Sequence, residues 1–518
     1  MPQMPDFETF IDQDFGTIAE AIRLHAAARP AHPALRDDSA ALGYRELDAL
    51  MDRVAVALRR DGLRAGDAVA VCAASSVSYA ALFLGALRAG VAVAPLAPSS
   101  TPASLARMVQ DADARLLFLD DSTVGVLAES AGVRRIALDG GSGGEPFERW
   151  LAATGAQPTA AAVERGTPFN IIYSSGTTGE PKGIVQGHGM RWAHVRRGAR
   201  YGYGPDSVTL LSTPLYSNTT LVVFFPTLAY GGCVSLMPKF DAGRYLQLAQ
   251  QQRVTHTMLV PVQYQRLMAR PDFDAHDLSS FMFKFSTSAP FNAALKADVL
   301  KRWPGGLVEF YGMTEGGGTC ILEAHLHPDK LHTVGQPAEG SDIRLIDEAG
   351  NEVPRGEAGE VVGHSAGMMT GYHRQPEKTR EAEWFDASGK RFIRTGDIGR
   401  FDAEGFLTLF DRRKDMIISG GFNIYPSDLE AVLRQHPAVL EASVVGVPST
   451  EWGETPVAFV VSREGAEAVE AEALRAWANA QLGKTQRIAR LLWVDELPRS
   501  AIGKVLKREL RDRLAGPA

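Results

Sequence analysis

The chain has 518 residues, of which 45% are hydrophobic, and this length favours a large domain with at least one smaller domain beside it. The 54 basic and 61 acidic residues are mixed along the chain, and the net charge is −7. Without a basic block to neutralise phosphates, nucleic acid is excluded as the expected partner.

The cysteines and the most apolar run argue for a soluble, cytoplasmic protein. Cys72, Cys233 and Cys320 lack metal-ligand spacing, and their odd number gives no disulfide framework. The start, MPQMPDFETF, has no signal-peptide pattern, and the apolar run at 221–232 is interrupted by Pro226 and is too short to span a bilayer. We expect no cleaved signal and no membrane association.

Helical and strand periods alternate from about residue 45. One helical face is formed by Leu47, Leu50, Val54 and Leu58, and strand DAVAVCA, helix VSYAALFLGALRAG and strand VAVAPL follow. The alternation resumes with strand-like VTLLSTPL, CVSLMP, THTMLVP and FMFKFST, each followed by a helical stretch. This order predicts an α/β fold in which mostly parallel sheets are covered on both faces.

The pattern changes near residue 340 to short alternating strands with turn signals, which predicts a β-rich subdomain at about 335–412. After Asp411 comes the charged stretch RRKD and then a new α+β pattern. We therefore place a large N-terminal domain at 1–412 and a small α+β domain at 413–518.

The segment IIYSSGTTGEPKGIVQGH, residues 171–188, carries an apolar strand into a loop of hydroxyls and glycines that ends at Lys182. Glycines let backbone N–H groups approach a polyphosphate, hydroxyls donate hydrogen bonds, and the lysine adds charge. The P-loop pattern fails at its second glycine and after its lysine. A flexible Ser/Gly loop is the alternative, and the complete string favours a different kind of ATP site.

SSGTTGEPKG resembles the signature of the adenylate-forming superfamily, which holds acyl- and aryl-CoA ligases, luciferases and nonribosomal adenylation domains. Four further motifs follow in the family's order: YGMTE at 311–315, RTGD at 394–397, DRRKDMIISGGFNIYPSDLE at 411–430 and PRSAIGK at 498–504. The motifs span residues 171–504, so the resemblance covers most of the chain.

The resemblance implies a nucleotide site with assigned roles. Tyr311 would stack on adenine, Asp397 would grip the ribose hydroxyls, and Glu315 would hold Mg²⁺, with Thr178 as a second candidate ligand. The implied ATP-binding set is Ser174, Ser175, Gly176, Thr177, Thr178, Gly179, Lys182, Ser288, Ala289, Pro290, Tyr311, Gly312, Met313, Thr314, Asp397 and Arg412.

The same resemblance makes the C-terminal domain a mobile lid. Lys504 would be the catalytic lysine of adenylation, together with Thr178 and Glu315, and Lys414 would lie at the hinge. Gly420 and Gly421 would leave room for the pantetheine arm of coenzyme A. Without the resemblance, the pair Gly420 and Gly421 is typical of an ordinary turn, and the alternative for Lys504, a surface lysine at a helix start, fits Lys507 better.

The acyl pocket is expected around Tyr216, Ser217, Asn218, Gly316 and Gly317. Ser217 stands where many acyl-CoA ligases of the family have a histidine. Asn218 stands where stand-alone aryl-acid adenylating enzymes have an Asn that reads a ring hydroxyl, although a structurally satisfied Asn fits equally. No acidic residue is present in YSNTT to pair with an amino-acid substrate, and the glycines serve a turn as readily as a pocket.

We therefore predict an ATP-, Mg²⁺- and coenzyme-A-dependent ligase for an aromatic, cyclic or medium-chain carboxylic acid. One alternative is an adenylating enzyme that loads a separate carrier protein. Another is a nucleotide-binding module without catalysis, which the presence of Lys182, Glu315, Asp397 and Lys504 opposes. Light emission is a remote third option, and a homodimer is a further expectation.

Overall fold

The structure, a computed structural model, describes residues 7–125, 132–174, 182–412, 415–419, 422–450, 452–483, 486–500 and 503–515. Of Ser174, Asp411, Arg412, Phe422, Asn423 and Ala515 it describes the backbone alone. The chain forms two compact units: Met1–His332, Pro337–Asp342 and Gly363–Ile393 in the first, and Thr333–Gln336, Ile343–Val362 and Arg394–Ala518 in the second. The predicted domain boundary at 412–413 stays a prediction.

The helices of the described residues are, in chain order, α1 (Phe7–Ile11), α2 (Ile18–Ala28), α3 (Tyr44–Arg60), α4 (Val77–Arg88), α5 (Pro102–Asp111), α6 (Phe147–Trp150), α7 (His188–Arg197), α8 (Asn218–Ala229), α9 (Ala242–Gln251), α10 (Pro261–Met268), α11 (Ala293–Arg302), α12 (Pro376–Glu381), α13 (Pro426–Leu433), α14 (Ala471–Asn479) and α15 (Lys507–Ala515). Short 3₁₀ turns occupy Gly198–Tyr201 and Phe273–Ala275. Within the described part of the chain, no helix combines the length and apolarity needed to cross a membrane.

The strands are β1 (Pro33–Arg36), β2 (Ala41–Gly43), β3 (Ala68–Cys72), β4 (Ala92–Pro95), β5 (Leu116–Leu119), β6 (Arg134–Ala137), β7 (Glu145–Pro146), β8 (Pro168–Ser174), β9 (Lys182–Gly187), β10 (Val208–Leu211), β11 (Cys233–Leu236), β12 (His256–Leu259), β13 (Phe283–Ser286), β14 (Gly306–Tyr311), β15 (Cys320–Glu323), β16 (Gln336–Pro337), β17 (Asp342–Ile346), β18 (Gly359–His364), β19 (Gly371–Tyr372), β20 (Glu383–Phe385), β21 (Arg391–Phe401), β22 (Leu407–Arg412), β23 (Ile417–Ser419), β24 (Phe422–Ile424), β25 (Val439–Ser449), β26 (Gly453–Ser462) and β27 (Arg490–Trp493).

Two large sheets form the first unit. One contains the run β15-β14-β13-β12-β10-β11-β1-β2, and the neighbours from β14 to β1 pair in parallel. The other has the order β19-β9-β8-β4-β3-β5-β6-β7, with β8 and β9 forming an antiparallel hairpin. The predicted strands and the helices after them are present, so the predicted α/β class with doubly covered parallel sheets is confirmed.

Side-chain alternation explains why both faces of the second sheet are covered. On β3, Val69 and Val71 belong to a core cluster that also contains side chains of α3, α4, α8 and β10. The intervening Ala70 and Cys72 belong to a different cluster that includes Leu105 of α5. Successive strand residues point to opposite faces, so a strand buried on both sides is apolar throughout.

Helix α3 has the amphipathic pattern that its sequence predicted. Its first turn is closed by Glu46, whose carboxylate accepts a hydrogen bond from the Gly43 N–H at 2.8 Å. Leu47, Val54 and Leu58 are fully buried along one face. The apolar run at 221–232 forms most of α8, which contains Pro226 and is buried along nearly its whole length.

The second unit packs helices on both faces of a sheet with the order β24-β23-β26-β25, in which β27 pairs with β26. Ala458 and Val460 of β26 face α13 and α14, whereas Val457 and Phe459 face Leu510 of α15. The hairpin of β21 and β22 also lies in this unit over residues 397–412. Strands between 336 and 412 agree with the β-rich character predicted there.

Candidate active site

Three of the predicted segments follow the carboxyl ends of strands in the first sheet. Tyr216–Asn218 come after β10, Ser288–Pro290 after β13, and Gly312–Glu315 after β14. These strands are close neighbours in the order β14-β13-β12-β10, and consecutive ones run in parallel. The segments therefore share one edge of the sheet, the edge where open α/β sheets bind ligands.

A hydrogen bond joins one of these segments to the residue that follows Asn218. The hydroxyl of Ser288 pairs with the hydroxyl of Thr219, which lies in the first turn of α8. Ser288 has a φ of +80°, an unfavourable value for a residue with a side chain. Backbone strain of this kind concentrates at functional sites, which agrees with the prediction that Ser288 belongs to the nucleotide site. That role stays a prediction.

The β8–β9 hairpin carries the predicted phosphate-binding string. Ser174, at the end of β8, lies directly opposite Lys182, at the start of β9. The predicted residues Ser175, Gly176, Thr177, Thr178 and Gly179 lie outside the described residues. Lys182 therefore belongs to the sheet, and its position is fixed by the pairing of the two strands.

Lys182 and Glu315 are linked through Tyr372. The ammonium of Lys182 lies 5.1 Å from the centre of the Tyr372 ring, and the Tyr372 hydroxyl donates a hydrogen bond to Glu315 Oε1 at 2.9 Å. The link arises because β19 pairs with β9, which sets Tyr372 opposite Ile184, two residues beyond Lys182 on the same face. Burial and the charge of Glu315 both raise the pKa of Tyr372, so the phenol stays protonated as a donor.

Tyr372 was absent from the sequence prediction. Nothing in GYHR marks it, because its role depends on a strand pairing between residues far apart in the chain. An aromatic residue is otherwise common in strands for packing alone.

Backbone contacts fix the segment that carries Thr314 and Glu315. The side-chain amide of Gln186 donates to the Thr314 carbonyl at 2.6 Å, and the Met369 N–H donates to the Glu315 carbonyl at 2.7 Å. The glycines after Glu315 allow this close packing: a Cβ on Gly316 would lie 2.0 Å from the Gly367 carbonyl oxygen. Gly316 has a φ of +77°, a value that favours glycine, so this residue serves the turn that was the alternative to a pocket role.

Gly317 is similarly constrained. It has a φ of +83°, and a Cβ there would lie 2.8 Å from the Ile393 Cβ. Its place in an acyl pocket stays a prediction.

Asp397 lies in the second unit, on β21. It stands directly opposite Arg412 of β22 in the antiparallel register. Its own N–H donates to the Thr395 hydroxyl at 3.0 Å, and that hydroxyl donates to the Val361 carbonyl at 2.8 Å. The side chain of Arg412 lies outside the described part, so the pairing rests on backbone register.

Lys504 also lies in the second unit, immediately after a tight turn. The Gly503 N–H donates to the Ser500 carbonyl at 2.8 Å, and Gly503 has a φ of +76°. Arg499 donates to the Gly503 carbonyl at 2.7 Å and pairs with Glu441 of β25 at 2.6 Å. This clamp, which the sequence did not indicate, holds the turn that presents Lys504; the predicted Lys414, Gly420 and Gly421 lie outside the described residues.

The predicted acyl-pocket residues lie at the start of α8. Ser217 is the N-cap, and its hydroxyl accepts from the Thr219 N–H at 3.3 Å. Burial raises the pKa of Tyr216 to about 12. The Oδ1 atom of Asn218 is buried and has no hydrogen-bond partner among the described residues.

The residues present suit Mg²⁺ held together with a polyphosphate. Glu315 supplies a hard carboxylate oxygen, and Mg²⁺ commonly takes one or two carboxylates plus phosphate oxygens. Across the described ranges, no group of three or more His, Cys, Asp and Glu side chains gathers as a metal site. A closed all-protein metal cage is therefore not the arrangement that this part of the chain offers.

The α/β fold with a separate C-terminal unit and the order of the motifs are those of the adenylate-forming enzymes. The family model described as AMP-binding enzyme matches residues 22–373, and the model described as AMP-binding enzyme C-terminal domain matches residues 428–504. The chain belongs to the AMP-binding enzyme family.

Relatives match along nearly the whole chain. A feruloyl-CoA synthase from Amycolatopsis sp is 33% identical, over 94% of this chain and 97% of that enzyme. The fatty acid–[acyl-carrier-protein] ligase ScoC from Streptomyces coeruleorubidus is 31% identical, over 96% and 97%. The crystal structure of ATP-bound MatB from Rhodopseudomonas palustris is 30% identical with a TM-score of 0.87, over 97% and 99%.

Proposed function

We propose that this protein is an ATP-dependent carboxylic acid:CoA ligase that acts on an aromatic acid. The acid and ATP form an acyl adenylate and pyrophosphate, and coenzyme A then displaces AMP to give the acyl-CoA. The single observation that carries the first step is the contact series Lys182–Tyr372–Glu315, because it holds a cation and a metal-binding carboxylate together at a ligand-binding sheet edge.

The roles of the residues follow from their chemistry. Lys182 would bind phosphate oxygens, and Tyr372 fixes the carboxylate of Glu315, which would hold Mg²⁺, by donating to Oε1. Mg²⁺, when bound, neutralises the negative charge of the polyphosphate. Tyr311 and Asp397 bind the adenosine, and Lys504 places its ammonium against the carboxylate and the phosphate that react.

The second step requires the lysine turn to withdraw before a thiol can reach the acyl carbonyl. In our proposal the small domain turns about Lys414, and Gly420 and Gly421 then line the path of the pantetheine arm. The Arg499 clamp moves with Lys504, because both belong to the same turn.

Coenzyme A is the favoured acceptor because a relative that matches end to end is named a feruloyl-CoA synthase. A carrier protein is the second candidate, since ScoC, named a fatty acid–[acyl-carrier-protein] ligase, matches over an equal share of the chain. The two acceptors require the same first step.

An oxygenated aromatic acid fits the pocket residues best. The unpartnered Oδ1 of Asn218 offers an acceptor to a hydroxyl on the ring, and an unmet buried acceptor costs free energy that such a hydroxyl would recover. The relative named for feruloyl-CoA supports the same substrate class. Asn218→Leu should therefore weaken the binding of hydroxylated acids more than the binding of unsubstituted ones.

Pyrophosphate release with Mg²⁺ and ATP across benzoates, hydroxybenzoates, cinnamates, hydroxycinnamates and medium-chain acids tests the proposal, each acid with and without coenzyme A. Turnover of a hydroxylated aromatic acid that requires coenzyme A is the expected result. Turnover indifferent to coenzyme A would favour a carrier protein, and absence of pyrophosphate with every acid would contradict ligase function.

A cytoplasmic location and a homodimer are also part of the proposal. The three cysteines are buried and unpaired, as suits a reducing compartment. Light scattering coupled to gel filtration tests the homodimer, for which a mass near the 55.9 kDa of one chain would be the contrary result.

A further inference from the structure

A buried arginine lies behind the nucleotide-binding segment. Arg191, in the second turn of α7, is 1% exposed, and its guanidinium donates through Nε and Nη2 to Asn170 Oδ1 at 3.1 and 3.0 Å. Its Nη2 also donates to Gln186 Oε1. The rings of Phe169 and Phe225 cover it, at 5.7 and 5.8 Å from the guanidinium carbon.

Among the described residues, the Arg191 guanidinium donates to amide oxygens, and no carboxylate balances its charge. Burial lowers its pKa to about 9, so it still carries its proton at neutral pH. A buried charge without a counter-ion is costly unless its donors are met by well-placed acceptors. Here two amide oxygens and two aromatic faces compensate part of that cost, while Nη1 is buried without a hydrogen-bond partner among the described residues.

The guanidinium determines how both neighbouring amides are oriented. Because a guanidinium donates and never accepts, Asn170 and Gln186 must each turn their oxygen towards it. The two residues are cross-strand neighbours on β8 and β9, and Asn170 Nδ2 donates to Gln186 Oε1 at 2.9 Å. Flipping either amide would set an NH₂ group against the charge.

One consequence reaches the candidate active site. With its oxygen turned to Arg191, Gln186 presents its NH₂ group in the other direction, where it donates to the Thr314 carbonyl at 2.6 Å. Thr314 and Glu315 are adjacent, and the Glu315 carbonyl accepts from Met369. The orientation of Gln186 thus fixes the backbone that carries both residues.

We propose that Arg191 is a positioning residue that acts through Gln186 to hold the Thr314 carbonyl and so to set the segment 311–315 for nucleotide binding. The inference rests on the proposed function for the roles of Thr314 and Glu315. Asn170 completes the arrangement as the second acceptor, so a positive charge in the core selects one orientation of the segment.

Gln186→Glu separates positioning from structural support. A glutamate forms an ion pair with Arg191, so the fold should be retained and its Tm should equal or exceed that of the wild type. The same carboxylate has no hydrogen to give to the Thr314 carbonyl and repels it. Calorimetric titration with Mg·ATP alone should then show an affinity about tenfold weaker, as for a lost hydrogen bond and a new repulsion.

A second readout is independent of ATP and of the acid. The Gly316 and Met369 amides donate to the Met313 and Glu315 carbonyls at 3.0 and 2.7 Å, and both amides should exchange their hydrogens faster in Gln186→Glu. Asn479→Asp is the matched control, because Asn479 Nδ2 likewise donates to a backbone carbonyl, that of Ile488 at 3.0 Å. This control should leave exchange at Gly316 and Met369 unchanged.

Arg191→Met keeps the aliphatic volume and removes the charge. It should weaken the binding of Mg·ATP in the same way as Gln186→Glu. Wild-type affinity and exchange in Gln186→Glu would overturn the proposal, and so would a loss of Tm that accounts for the weaker binding. If the wild type turns over no acid of the panel, the proposed function fails, while the exchange comparison still decides the role of Arg191.

Discussion

The hydroxyl of Tyr372 is bonded to Glu315 at 2.9 Å while the ring of the same tyrosine lies 5.1 Å from the ammonium of Lys182. One side chain thereby contacts both the carboxylate of Glu315 and the ammonium of Lys182. In the proposed function, these are the two groups that would bind the polyphosphate and its metal ion.

Tyr372→Phe should lower adenylation about tenfold, because Glu315 loses a donor that fixes its carboxylate. The loss should appear as a higher Mg²⁺ requirement in pyrophosphate exchange, with a change in the free energy of unfolding of about 1 kcal/mol. Tyr245→Phe is the control, since its buried hydroxyl bonds Thr257 at 2.7 Å, outside the candidate site. An unchanged Mg²⁺ requirement in Tyr372→Phe would remove this tyrosine from the mechanism.

Lys504→Ala should reduce adenylation by about 10²–10³, roughly 3–4 kcal/mol, as for other charges positioned at a reacting centre. Thiolation from preformed acyl adenylate should change far less, because the lysine has then withdrawn. Lys507→Ala is the matched control: this lysine lies three residues on and pairs with Glu430 at 3.0 Å. Equal losses of adenylation rate in the two variants, measured by pyrophosphate exchange, would mean that the loss comes from removing a positive charge and not from the position of Lys504.

Gly316→Ala should destabilise the protein and weaken Mg·ATP, because the added methyl would meet the Gly367 carbonyl. Gly340→Ala separates the two costs, since Gly340 has a similar φ of +75° but nothing within 4 Å of a Cβ. In urea unfolding, the free energy of unfolding should fall by about 1 kcal/mol in Gly340→Ala and by about 3 kcal/mol in Gly316→Ala. Similar values for both would mean that the backbone at Gly367 yields easily.

His25 should make stability depend on pH. Its Nε2 donates to the Ala229 carbonyl at 2.7 Å, its Nδ1 accepts from Arg29 at 3.1 Å, and burial lowers its pKa from 6.5 to about 4. On lowering the pH, His25 therefore binds a proton in the unfolded chain before it does so in the folded one. The free energy of unfolding that neutral His25 contributes is complete above pH 6.5 and is lost towards about pH 4.

The loss attributable to His25 is about 3 kcal/mol at its limit. Urea unfolding at several pH values should show a shallower acid slope for His25→Gln, whose amide still donates to Ala229 without titrating. Parallel slopes for the two proteins would contradict a neutral, buried His25.

Local patterns sufficed for the sheets and their covering helices. The alternation in DAVAVCA and the helical face of Leu47, Val54 and Leu58 depend on neighbours in the chain, and both appear where the periods predicted them. Tyr372, Gln186, Arg191 and the Arg499–Glu441 clamp were missed, because each acquires its role from a partner brought close by strand pairing or packing. A Gln in a strand and an Arg in a helix otherwise look like ordinary surface residues.

The pairing of Ser174 with Lys182 has a consequence for how such a protein can change. When the two residues that flank a segment pair with each other in a sheet, the segment can gain or lose residues while the lysine that follows it keeps its position. A substitution between residues 175 and 181 can therefore change how tightly a polyphosphate is bound while Lys182 keeps its place in the sheet.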